Sequence, residues 1–166
     1  ILLDSILDDE VADRVLLSNT HFFGPPRMAV RHGKFYPSSI ERLAHLRKLF
    51  HNDDIHICIG LRNPVSFLPA VFEQVGTEDF GQFLNGYAPQ EFRWSDMLRS
   101  INEAVEGLTF TVWCNEDTPL IWEEIIREMA EVQPNFEVEG AYDLIADIMT
   151  PEGLQRMMHY LEGKND

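Results

Sequence analysis

Ile55 to Leu61 is an apolar run of strand length, rich in β-branched side chains. Such a run suits a strand covered on both faces, as in a parallel sheet. Arg62, Asn63 and Pro64 follow it. Asn is a good N-cap, and Pro is favoured at the first helical position. The stretch 54–70 therefore predicts strand, sharp turn and helix, with a guanidinium at the carboxyl end of the strand. Pro69 lies inside that helix and predicts a kink or an early stop, because it has no N–H to donate.

The same pattern recurs downstream. Leu108 to Cys114 alternates and holds Thr, Phe, Val and Trp, which predicts another strand. Asn115-Glu116-Asp117-Thr118-Pro119 then predicts a turn and a helix over 119–131, with Thr118 as N-cap. Upstream, Ile1 to Glu10 reads as the tail of a helix and Asp13 to Ser18 as a short buried strand. Asn19 to Pro26 is turn-rich. Residues 27–37 predict a polar, basic loop, mobile around Gly33. Ser38-Ser39-Ile40-Glu41 matches a capping box for a helix with Ile40, Leu43, Leu46, Leu49 and Phe50 inward. A short helix through Phe80, Phe83 and Leu84 leads to an Asn85-Gly86 turn. Trp94-Ser95-Asp96 opens a helix on Met97, Leu98, Ile101, Ala104 and Val105. Short helices follow over 141–149 and, after Thr150-Pro151, over 151–162. Strands alternating with helices predict an α/β fold, and 166 residues suit one domain with a sizeable core.

Charge changes the picture more than composition does. The formal net charge is −15, which argues against general nucleic-acid binding and against anionic membranes. Residues 21–62 nevertheless hold seven Lys/Arg against three acids, whereas residues 63–166 hold five against twenty. A basic island thus surrounds the strand that ends at Arg62. It is either the solvated face of a helix or an anion-binding cleft. Cys58 and Cys114 both fall in predicted strands and read as buried free thiols, which suits the reducing cytoplasm.

In open α/β sheets, ligands sit beyond the carboxyl ends of the strands. Exposed amides at the start of the helix after Asn63, next to Arg62, would form a phosphate or sulfate site. Alternatively, Arg62 caps a strand and pairs with a carboxylate. Asn115-Glu116-Asp117 could be a metal site or a pair of acid/base carboxylates. Adjacent residues point in different directions, however, which favours a plain turn at a helix start. No metal-ligand spacing of Cys and His is present, so no metal is expected.

Arg62-Asn63-Pro64 after an apolar strand resembles the 3′-phosphate-binding segment of sulfotransferases. Those enzymes have a P-loop-type, three-layer α/β/α fold with a mainly parallel sheet, and use 3′-phosphoadenosine 5′-phosphosulfate (PAPS). In that family the Arg and a Ser eight residues later hold the 3′-phosphate. Here that later position is Ala70, while Ser66 stands four residues on. Thr20-His21, after the strand predicted at 13–18, is similar to the segment that carries the family's catalytic histidine. The resemblance implies that His21 is the general base and that Arg62 and Ser66 hold the donor. It further implies that Arg31 and Lys34 help to neutralise the donor sulfate.

Leu61 to Ala70 and Thr111 to Trp122 also resemble a group of uncharacterised sulfotransferase-like bacterial proteins. The acceptor would be a small molecule or a carbohydrate. The family's first strand and its glycine-rich phosphate loop have no counterpart here. The chain begins at Ile1, and the resemblance implies that both lie upstream. In that fold the first strand runs between the strands ending at Arg62 and at Cys114. Without it, the sheet has a gap or those two strands close up. A non-catalytic module holding a nucleotide, a sulfated sugar or a protein partner fits the same residues. So does another nucleotide-binding enzyme, such as a kinase or a glycosyltransferase.

Overall fold

The computed structural model describes residues 12–76 and 79–163. The helix tail expected over Ile1 to Glu10 lies outside the described residues. The chain is mixed α/β and divides into two compact units. Thr20–Thr118 forms one, and residues 12–19 with 119–163 belong to the other.

In the first unit, β1 (Val30–Arg31) and β2 (Lys34–Phe35) form an antiparallel hairpin. Helix α1 (Ser39–Leu49) follows, then β3 (Ile55–Leu61), α2 (Pro64–Val75), the short α3 (Phe80–Phe83), α4 (Trp94–Ala104) and β4 (Leu108–Cys114). The predicted strands β3 and β4 pair directly and in parallel, from Ile55↔Leu108 to Leu61↔Cys114. They make a sheet of two strands. No strand lies between β3 and β4.

Strand β3 hides an alternation behind its hydrophobic run. Ile55, Ile57 and Ile59 belong to the core, with Leu108 and Phe110 of β4 beside them. The intervening His56 is tied instead to Thr111, with Nε2 and Oγ1 2.7 Å apart. Successive side chains of a strand point to opposite faces, so His56, Cys58 and Gly60 share the second face with Thr109, Thr111 and Trp113. Gly60 is needed there. A Cβ at this position would meet the Trp113 indole nitrogen at 3.0 Å, so the bare backbone lets the indole lie across the strand.

The core is aromatic. Phe35, 1% exposed, stacks on Trp94 with centroids 3.9 Å apart and meets Phe67 edge-on at 5.4 Å. Ile101 and Leu43 join it fully buried, and α1 packs against α4. The Trp94 indole N–H donates to the Arg62 carbonyl at 2.7 Å. That bond satisfies a polar group on a large, partly buried ring and ties the start of α4 to the end of β3.

Several expectations are corrected here. Residues 27–37 are not a mobile polar loop. They comprise a short 3-10 turn (Pro26–Met28) and the hairpin, whose Ala29, Val30 and Phe35 enter the core. His32 and Gly33 both have positive φ, 50° and 70°, as a tight two-residue hairpin turn demands. The Asp13–Ser18 strand does not form, and Val15, Leu16 and Leu17 are 45–63% exposed. Ser38 does not cap α1. Its backbone is already helical (φ −81°, ψ −2°), and the Ser39 N–H is taken by the Tyr36 carbonyl at 2.8 Å. The Ser38 hydroxyl is left buried without a partner. Leu49 is exposed rather than inward, as is Cys114. Pro69 does not shorten α2, which continues to Val75.

The second unit contains most of α5 (Thr118–Ala130), with α6 (Asp143–Ala146) and α7 (Pro151–Glu162). Thr150 caps α7 as expected, accepting from the Gly153 N–H at 3.2 Å. Ile125 and Ile145 are buried. Arg14 bonds the Met129 carbonyl at 3.2 Å and pairs with Glu131.

Candidate functional site

The site lies at the carboxyl ends of the unit's apolar segments, where Arg62 leaves β3. Local chemistry sets the turn. The Asn63 side chain accepts from the Val65 N–H at 3.0 Å, and the Asn63 carbonyl accepts from the Ser66 and Phe67 N–H groups at 3.0 and 2.8 Å. Pro64 has no N–H to leave unpaired. The Asn63 N–H itself donates to Glu116 Oε1 at 2.8 Å, across 53 residues. The expected row of exposed helix amides is therefore absent, because each has an acceptor inside the protein.

Arg62 remains available in part. Its Nε donates to Ser66 Oγ at 3.1 Å, and that hydroxyl in turn donates to the Asn63 carbonyl at 3.0 Å. No ion pair to Arg62 is found among the described residues. The nearby Glu116 is held below the ordinary carboxylate range. The Asn63 N–H contributes most, followed by Glu116's own backbone N–H and, more weakly, by the Arg62 charge and Ser66. Each of these favours the charged form.

Arg62 and His21 border one cleft of about 320 Å³. His21 belongs to the turn after Thr20, where its carbonyl accepts from the Gly24 N–H at 2.9 Å. Its Nδ1 lies 3.2 Å from Thr20 Oγ1. The cleft also carries Tyr36, Phe67, Ala70 and Gln74. Phe67, Ala70 and Gln74 recur at the spacing of one face of α2, a signal in the sequence that could have marked them. Tyr36 could not have been found this way. Its φ of 40° is unusual for a bulky residue, and partial burial pushes its hydroxyl pKa up.

Arg31 and Lys34 lie elsewhere. They face each other across the hairpin register, exposed. Lys34 borders a smaller cavity of about 110 Å³ with Tyr36, Arg93 and Asp96, and Arg31 borders neither cavity. Ser66 is outside the cleft lining, with its hydroxyl committed to Arg62 and Asn63.

The cleft can offer an anion the charge and terminal nitrogens of Arg62, the imidazole of His21, and an apolar wall. It fits the 3′-phosphate end of PAPS only in part. Arg62 is suited to it, but Ala70 brings a methyl group where the family motif has a hydroxyl. Among the described residues no group of three or more His, Cys, Asp or Glu is placed to hold a metal ion. Nor, among the described residues, is any helix long and apolar enough to cross a membrane. No family model, no curated protein and no solved structure matches this chain.

Proposed function

We propose that the cleft is a binding site for an anionic nucleotide and that the chain is a sulfotransferase-like transferase using PAPS. The observation that carries this is the meeting of His21 and Arg62, 41 positions apart in sequence, on one cleft. Arg62 holds the 3′-phosphate. An oxygen of a small-molecule or carbohydrate acceptor attacks the donor sulfur, and its proton passes to His21. The bond from sulfur to the bridging oxygen breaks, releasing adenosine 3′,5′-bisphosphate. Such transfer depends on positioning and charge neutralisation more than on covalent chemistry by the protein. The three-layer, P-loop-type architecture and a place in the cytoplasm belong to the same proposal.

A second reading is a non-catalytic module that binds a sulfated or nucleotide ligand. Ala70 in the cleft and the Glu116 bond to the Asn63 N–H favour it, since both remove donors that a phosphate would use.

Calorimetric titration with adenosine 3′,5′-bisphosphate, against 5′-AMP, tests the shared premise. Selective binding is expected, and Arg62→Ala should weaken it by about 1.5–3 kcal/mol, the value of a charge-assisted hydrogen bond. His21→Ala should abolish sulfuryl transfer and leave donor binding intact. Transfer undiminished in that variant removes His21 as base, and donor binding without any transfer supports the second reading.

A further inference from the structure

We propose that the small cavity bordered by the β1–β2 hairpin, the first turn of α1 and the start of α4 is a binding site for a short-chain carboxylate. It is separate from the cleft. Tyr36 is the residue common to both linings, so the inference stands whether or not the cleft takes a nucleotide.

The floor of the cavity is apolar and buried. Phe35 is 1% exposed and Met97 is 6% exposed, and Ile40 packs against the same core. One hydroxyl is set among them. Ser39 is the one buried polar residue among the described residues, 1% exposed, and it borders the cavity. Its backbone N–H donates to the Tyr36 carbonyl. Its hydroxyl has no hydrogen-bond partner among the described residues. Buried polar groups seldom go without one, and the cavity is the space from which a partner can come.

The rim is charged. Lys34 on β2 and Arg93 before α4 are both exposed. Neither has an ion pair or a side-chain hydrogen bond among the described residues. Helix α4 starts at Arg93 without a side-chain cap, which leaves the positive end of its dipole at the same rim. Asp96, the carboxylate of the lining, is engaged by Arg99 at 3.4 Å.

Volume and lining select the ligand. The cavity measures about 110 Å³. An apolar cavity of about 150 Å³ takes benzene, so this one holds about four or five heavy atoms. One carboxylate oxygen accepts from Ser39 and the other faces the cations of the rim, in charge-assisted contacts. The short carbon body lies on Phe35, Ile40 and Met97. A sulfate or phosphate fits the volume but has oxygens on every side. It must turn some of them to the apolar floor, at a desolvation cost.

The probe is propionate, with propionamide as its neutral isostere and sulfate as the tetrahedral control. The full chain is titrated with each while backbone amide NMR shifts are followed. Propionate should give saturable shifts centred on Ser39 and Met97, with a dissociation constant on the order of 1 mM, which so few atoms can supply. Propionamide and sulfate should each bind at least about tenfold more weakly. Ser39→Ala should weaken propionate about tenfold, the scale of one hydrogen bond to a charged group. Lys34→Gln, at an exposed position where packing is not disturbed, should weaken it about threefold. Propionate affinity unchanged by Ser39→Ala overturns the inference. If that variant does not fold, affinity unchanged by Lys34→Gln does the same. So does propionamide or sulfate binding as tightly as propionate, or the absence of any saturable shift. Shifts centred on His21 and Arg62 would place the probe in the cleft and also overturn it.

Discussion

Two junctions in this chain begin with similar sequence and end as different structures. After β3, Asn63-Pro64 opens α2 with the Asn63 side chain on the Val65 N–H at 3.0 Å. After β4, Thr118-Pro119 carries the same signal, but Thr118 is already helical (φ −47°, ψ −44°) behind a 3-10 turn. Its hydroxyl accepts from the Trp113 indole at 3.0 Å instead of capping. Helix α5 then departs from helical geometry at Ile121 (φ −116°, ψ 18°). A cap residue is also a hydrogen-bonding side chain, and a nearby indole N–H can claim it first. The first junction is a capped helix start and bears Arg62. The second became irregular, and its 3-10 turn sends Glu116 back to the first.

The largest expected difference is in burial. Leu68 on α2 is 1% exposed and Leu120 on α5 is 71% exposed. Leu68→Ala should destabilise by about 2–5 kcal/mol, while Leu120→Ala should stay within about 0.5 kcal/mol. Urea midpoints measure both, and equal losses would end the contrast between the helices. Next come the caps. Asn63→Ala should cost about 1 kcal/mol, and Asn63→Ser should recover most of it. Thr118→Ala should cost about 0.5–1.5 kcal/mol through the lost indole bond. A double-mutant cycle separates the mechanisms: the Thr118→Ala cost should vanish in a Trp113→Phe background. A cost that persists there would make Thr118 a true cap.

Legibility in the sequence followed the range of the interactions. Strand β3, the Asn63 cap and the inward Met97 and Ile101 of α4 are set by neighbouring residues, and all were readable. The Ser38 capping box failed because Tyr36, at φ 40°, turns the chain so that its own carbonyl takes the Ser39 N–H. The hairpin was hidden by strands of two residues each, too short for an alternation to register. His32-Gly33 was its one local sign. Val15 to Leu17 has the composition of a strand but no partner strand among the described residues, and composition alone cannot supply one. At the site, Arg62 was foreseeable as a strand-end residue, whereas His21 rested on the resemblance of Thr20-His21 and on a strand at 13–18 that does not form. The Glu116 contact was not foreseeable, because it depends on the direct pairing of β3 with β4 that brings Cys114 opposite Leu61.

That contact gives the smallest and most specific prediction. The Glu116 carboxyl is held below its ordinary range, first by the Asn63 N–H and, more weakly, by Arg62. A folded-state pKa below the unfolded one means that the unfolded chain binds the proton more readily. The stabilisation is therefore present above the ordinary glutamate range and disappears as pH falls through the lowered folded value. Glu116→Gln removes the charge but keeps an oxygen that can accept from Asn63. The variant should be slightly less stable than the wild type at neutral pH and indistinguishable from it in acid. Urea midpoints of the two proteins across that window supply the difference curve. A difference that grows toward acid would place the carboxylate off the β3–α2 junction. So would a Glu116→Gln variant more stable than the wild type at neutral pH. Either result would leave the two junctions as independent turns.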